Sequence, residues 1–409
     1  MAAGAAARAM RFAICAMLCA SAWSCGGGGT FSSTGTSAGT TPAASNVVSV
    51  VVDAGPANNT INTLYTTVTV CVPGTTNCQT IDHIEVDTQS FGLRILAPVL
   101  TLSLPVQAAA NGGSLLECAA FADGYSWGPI ALVDVQISGE SASSVPIQLI
   151  GDARFPNVPV DCSSQGLTEE DTVALFGANG ILGVGVFDQD CGPQCVSTVD
   201  NDIYFACTST LCENTAEPLA NQVANPVALF AKDNNGSIIE LPNVASQGAA
   251  TVTGSLIFGI DTQTNNASGT ETVLTVDPDY GFLTASFDDQ SLNMSFIDSG
   301  SNGIYFNDAD IPACTSTDYT NFYCPASTLN LTVTLQGNNG VNAAVPFAVG
   351  NAQTLGMDNP SFVVFPTLAG TYSTSGTFDY GLPFFFGRRV ATALENRSTT
   401  VGTGPYVAY

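Results

Sequence analysis

Asp87 and Asp298 each end an apolar run and open the same pattern: Asp, Thr or Ser, any residue, Ser, any residue, Gly, then an aliphatic residue. The first copy reads "DTQSFGL" and the second "DSGSNGI". One such copy is an ordinary turn at a strand end, since Asp, Ser and Gly are common turn residues. Two copies in one chain raise a chemical possibility. Two carboxyl groups about 3 Å apart cannot both ionise, so they share a proton and can act as base and acid in one reaction. Each copy also has a later landmark, two apolar residues before a Gly. These are Ile181, Leu182 and Gly183 in the first case and Phe385, Phe386 and Gly387 in the second. A strand passing closely behind each Asp loop needs Gly at that point, because any side chain would block the approach.

The elements that must position these residues are strands. The chain has 409 residues, enough for two lobes with separate cores, and is 45% apolar and 10% charged. Its 40 Gly and 21 Pro, set among Val, Thr and Phe runs, favour an all-β fold. Strands are expected in "NVVSVVVDAG", "LYTTVTVCV", "TIDHIEVD", "IALVDVQIS", "NPVALFAKDNNGSIIELP", "ATVTGSLIFGI", "TLNLTVTLQ" and "FVVFPTL". Asn235 and Gly236 read as a hairpin turn inside the fifth of these. The clearest helical segment is residues 167–177, with Thr168 as its cap and Asp171 at the third position. With 34 acidic residues against 8 basic ones, the surface offers no basic footprint for phosphates, so nucleic acid is excluded as a partner.

From about residue 65 to residue 401 the chain resembles the pepsin-like aspartic peptidases. The resemblance rests on Asp87 to Ser90, on a flap-like hairpin over residues 121–139, and on Ile181 to Gly183. It continues in the strand ending "GSLIFGIDTQ", in Asp298 to Ser301, and in "FFG" at Phe385 to Gly387. It implies a bilobal fold of two pseudo-symmetric β lobes, each of six to eight strands, with a shared sheet beneath and a cleft between them. The lobes are expected at residues 47–222 and 223–409. It also implies an endopeptidase in which Asp87 and Asp298 activate a water for attack on a peptide bond. Thr88 and Ser299 would brace the two loops, Ser90 and Ser301 would bond the outer carboxylate oxygens, and Gly300 would line the substrate floor. Two positions depart from the family pattern. Gln89 stands where the family has Gly, and Phe121 stands at the flap position usually held by Tyr, with Tyr125 four residues further on. A peptide-binding protein of the same fold without catalysis is the alternative reading.

The N-terminus reads as an export signal over residues 1–24, in which Arg8 and Arg11 precede a short apolar stretch. "SAWSCGGGG" resembles a bacterial lipoprotein signal with lipid on Cys25, followed by a flexible tether over residues 25–46. The expected location is therefore the outer membrane or cell surface, or the periplasm or medium if Cys25 is not lipidated. The chain also resembles an uncharacterised family of bacterial lipoproteins that carries the paired Asp pattern behind a lipidated cysteine. Of 13 cysteines, ten remain beyond Cys15, Cys19 and Cys25, an even number spaced as local loop staples for an oxidising compartment. Cys71 is expected to pair with Cys78 and Cys314 with Cys324, while the pairing of Cys191, Cys195, Cys207 and Cys212 stays open. The one histidine, His83, falls in an alternating strand, which argues against a zinc site. The acidic stretches "FDQDCGPQ" and "FNDADIP" do not match calcium-loop spacing and read as solvated surface. No cofactor is expected, and the chain is expected to be monomeric.

Overall fold

The computed structural model of the chain describes residues 45–163 and 167–409. The export signal, Cys25 and nearly all of the tether lie outside the described residues. The chain is all-β, with short helices only at connections. A 16-stranded sheet starts at the edge strand Cys212–Asn214 and continues through Tyr204–Cys207, Ser114–Ala120, Gly124–Ile137 and Glu140–Ile150. It then takes in Phe91–Leu96, Gly180–Val184, Cys78–Asp87, Leu64–Cys71 and Val47–Val52. At that point the sheet crosses between the two halves of the sequence. Val47–Val52 pairs antiparallel with Val252–Phe258, from Val47 opposite Ile257 to Val52 opposite Val252. Gly236–Glu240, Arg389–Ala393, Tyr406–Ala408 and Val273–Thr275 continue the path, and the sixteenth strand, Thr168–Glu169, pairs off it with Gly124–Ile137. A second, seven-stranded sheet is built wholly between Leu283 and Tyr380 and contains Gln290–Ile297, the strand that leads to Asp298.

The apolar core is continuous across both sheets. Val86 and Leu182 behind the first Asp loop belong to the same cluster as Ile297, Phe306 and Phe378 behind the second. In the second half the core is largely aromatic, with Phe306 stacked on Phe378 at 4.8 Å and Phe378 on Tyr380 at 4.5 Å. A separate clamp joins the halves. Asn62, fully buried, donates its backbone N–H to the Val363 carbonyl and its amide to the carbonyls of Asn302 and Phe365, and it accepts from the Phe365 N–H.

Several expected elements differ in the structure. "FVVFPTL" is not a strand, because Asn62 takes up its backbone groups and Pro366 offers no donor for a ladder. "NPVALF" forms the 3-10 turn Pro226–Leu229 instead, since the Asn225 side chain caps the Val227 N–H. Asn235 and Gly236 do not turn a hairpin. Asn235 bonds both the N–H and the carbonyl of Ile260, and Gly236 begins a strand. The helix expected at residues 167–177 shrinks to Val173–Phe176, capped by Thr172 rather than Thr168. Thr168–Glu169 instead pairs with Gly124 and Tyr125.

Five disulfides take up all ten cysteines among the described residues, which places the chain in an oxidising compartment. Cys71–Cys78 and Cys314–Cys324 pair as expected, and Cys191–Cys195 and Cys207–Cys212 resolve the open set. Cys118–Cys162 is not a local staple, because it spans 44 residues. Chain entropy then makes its removal the costliest of the five. The Cys118→Ala/Cys162→Ala variant is expected to lose about 4 kcal/mol, against roughly 2–3 kcal/mol for Cys71→Ala/Cys78→Ala. Urea unfolding midpoints compare the two, and equal losses would contradict this ranking. No helix among the described residues is long and apolar enough to cross a membrane.

Candidate active site

Each Asp loop is built in the same way. Asp87 ends the strand Cys78–Asp87, and Gly180–Val184 lies parallel to it, with Val86 opposite Leu182 and Asp87 opposite Gly183. The chain leaves the loop as Phe91–Leu96, antiparallel to the same strand. Gly180–Val184 therefore threads between the arriving and departing arms. A side chain at Gly183 would begin 2.5 Å from the Phe91 nitrogen, so the close approach does require Gly. In the second half Gln290–Ile297 arrives, Asp379–Tyr380 lies parallel to it, and Ile304–Tyr305 departs antiparallel. The Gly that follows, Gly381, would place a Cβ 2.0 Å from the Gly303 carbonyl oxygen.

This corrects one expected landmark. The counterpart of Gly183 is Gly381, not Gly387, which sits at a positive φ of 76° against Asn243. Phe385 and Phe386 are core residues. The position matching Ile181 is then Asp379, an acid where an apolar residue was expected.

The two loops brace each other. Thr88 Oγ1 donates to the Ile297 carbonyl at 3.1 Å and accepts from the Ser299 N–H at 3.0 Å. Ser299 Oγ donates to the Val86 carbonyl at 2.8 Å. Thus held, the Asp87 and Asp298 side chains are in hydrogen-bond contact, and they keep only 6% and 9% of their surface exposed. Asp87 Oδ1 accepts from the N–H groups of Gln89 at 2.6 Å and Ser90 at 3.2 Å. Asp298 Oδ1 accepts from the Gly300 N–H at 2.8 Å, and its Oδ2 accepts from Ser301 Oγ at 2.7 Å. Burial first, and then the charge of Asp87 beside it, push the Asp298 carboxyl well above the usual range.

The expected site residues divide as follows. Thr88, Ser299 and Ser301 make the contacts expected of them. Ser90 does so only through its backbone, and its buried hydroxyl has no partner among the described residues. Gly300 lies against the acid pair, where a Cβ would stand 2.7 Å from Asp87 Cγ. Gln89 occupies the matching place in the first loop, half-buried, with its amide 3.4 Å from the Ile297 carbonyl. Phe121 sits in the tight turn of the hairpin, where its N–H donates to the Gly124 carbonyl, and packs edge-on to Phe176 near Ile181. Tyr125 does not supply a hydroxyl in its stead. It packs with Trp127 and Phe205, and its hydroxyl is hydrogen-bonded to Glu169.

Two groups near the pair were not visible as site residues in the sequence. Asp379 is fully buried, and its Oδ2 lies 2.7 Å from Ser301 Oγ. Burial, then the charge of Asp298, hold its carboxyl well above the usual range. Tyr372 feels the same charges, and burial together with Asp379 and Asp298 raises its phenol. The one signal available was the strict repeat of the loop itself, which demands a strand behind each copy.

Behind the first loop, Arg94 is buried with two acids. It is paired bidentately with Glu117 and also lies 3.1 Å from Asp190. Tyr204 donates to Asp190 at 2.7 Å and accepts from the Val223 N–H at 2.7 Å. This network ties the strand leaving the Asp87 loop to the segment joining the two halves.

No curated protein matches the chain. Residues 42–409 match the family model described as "Protein of unknown function (DUF3443)", and the chain belongs to that family.

Proposed function

We propose that the chain is an exported aspartic endopeptidase with the bilobal architecture of the pepsin-like enzymes, anchored to a membrane through lipid on Cys25. The observation that carries this reading is the contact between Asp87 and Asp298 at the ends of two cross-braced loops. A buried pair in contact holds one proton between two carboxyls. Its ionised member can draw a proton from water, and its protonated member can donate to the carbonyl oxygen as the water attacks. The Gly300 and Ser301 donors keep Asp298 fixed while the proton changes place. The substrate is a peptide or protein, and the excess of acidic groups disfavours nucleic acid.

A second reading, a peptide-binding protein without catalysis, draws on Gln89. Its half-buried side chain stands where the second loop has Gly300, with its amide 3.4 Å from the Ile297 carbonyl, so it adds bulk beside the pair. Assay of a broad peptide library across the acidic range separates the two. The expected profile is bell-shaped with its maximum below neutrality, because only the singly protonated pair works. Gln89→Gly is expected to raise turnover about tenfold, the worth of about 1.4 kcal/mol of obstruction. If neither the native protein nor Gln89→Gly cleaves any peptide, the binding reading replaces the enzymatic one.

A further inference from the structure

Ser301 Oγ lies 2.7 Å from Asp298 Oδ2 and 2.7 Å from Asp379 Oδ2. A hydroxyl has one proton to donate, and an ionised carboxylate only accepts. At one of these two contacts the carboxyl must therefore be the donor. Asp298 has another donor in the Gly300 N–H. Asp379 has none on its second oxygen, Oδ1, which is buried without a hydrogen-bond partner among the described residues. Ionised, Asp379 would leave charge on a bare buried oxygen, whereas protonated it leaves only a neutral carbonyl. The charged or titratable groups that face it are Asp298 and Asp87 across Ser301, and Tyr372, and none of them is a cation.

We propose that Asp379 is a positioning residue of this site: it stays protonated and, by donating to Ser301, commits the Ser301 hydroxyl to Asp298. The role rests on the peptidase reading, while the protonation does not. Of the three carboxyls in a row, Asp379 then holds a proton of its own, and Asp298 and Asp87 share another. The relay runs from Asp379 through Ser301 to Asp298. A burial cost at Asp379 is accepted at a position where the first half of the molecule uses Ile181. This is what a device for the reaction would show and what a purely structural position would not.

The infrared carboxylic-acid C=O band of the intact protein tests the protonation without any substrate. At about pH 6, well above the usual Asp pKa of about 3.9, Asp379→Asn is expected to remove one buried protonated carboxyl from the band. An unchanged band would overturn the proposal. Activity tests the role. Asp379→Asn, whose amide can still donate to Ser301, is expected to keep kcat within about threefold. Asp379→Ile, which reproduces the first-half residue and fills the same apolar place, is expected to fold but to lose at least about tenfold in kcat with KM little changed. Full activity in Asp379→Ile would also overturn the positioning role. If the native protein hydrolyses no peptide, the peptidase reading fails with the positioning role, and the infrared band still decides the protonation of Asp379.

Discussion

Asp298→Asn is expected to lower peptide hydrolysis by at least about a thousandfold, within the range that a positioned acid or base contributes. An amide fills the same space and can still accept from the Gly300 N–H, so the loop should keep its shape. It cannot exchange a proton with Asp87. Stability should move the other way. The folded Asp298 carboxyl is held well above its ordinary value by burial and by Asp87. Unfolded, it would release its proton near the usual value of about 3.9. The native protein is therefore penalised progressively as the pH rises above that value and through the folded one, and Asn removes the penalty. Asp298→Asn should be at least as stable as the native protein at neutral pH, with the advantage fading below about pH 4. Cleavage assays paired with thermal melts at the two pH values check both halves. A variant that is inactive because it is unfolded would not support the assignment.

The largest loss of stability is expected from Arg94→Ala, about 3–5 kcal/mol, the usual cost of removing one partner of a buried ion pair. Glu117 would lose both of its guanidinium bonds in a fully buried place, and Asp190 would lose its cation. Burial, then the charge of Glu117, push the Asp190 carboxyl well above the usual range, and Asp190 keeps the Tyr204 hydroxyl as a donor. The remaining Glu117 charge is the costly one. Arg154 provides the contrast. It also grips one carboxylate, Asp152, but its side chain is 53% exposed, and Arg154→Ala should cost no more than about 1 kcal/mol. Urea midpoints for the two variants decide the comparison, and a similar shift in both would refute the claim that burial sets the scale.

The paired Asp loops were legible because their side chains are constrained by chemistry and their neighbours by turn geometry, so both copies kept the same letters. Most strands were legible from alternation, as in Leu329–Gln336. The failures have a common origin in single polar residues that capture backbone from far away. Asn62 takes up the Val363 carbonyl and both backbone groups of Phe365, Ala249 takes up those of Val364, and Asn225 caps the turn that "NPVALF" forms, so neither apolar run forms a strand. Asp379 was hidden for a different reason. Two apolar residues before a Gly are expected there, and the chain puts an acid in the first place, while "FFG" nearby has the pattern without the role. Only the register, Phe296 opposite Asp379, reveals the correspondence. The Cys118–Cys162 bridge was equally invisible as a long-range link, since spacing cannot distinguish it from a chain of local staples.

The placement of Val47–Val52 between the two halves bears on the order in which the molecule folds. One of its edges is filled from nearby, with Val52 opposite Leu64, and the other from far away, with Val52 opposite Val252. Closing the longer loop costs about 2.5 kcal/mol more than closing the shorter one on loop-length grounds alone. Pairings of that kind form slowly and late. The strands that finish the same sheet, Arg389–Ala393 and Tyr406–Ala408, come from the far end of the sequence. A nascent chain can thus complete much of its first half, disulfides included, well before Thr88 has Ile297 and Ser299 to grip. On the peptidase reading, the chain is inert while it is emerging and unfolded, when its own strands would be the nearest substrate, and becomes competent only once they are locked into the sheet.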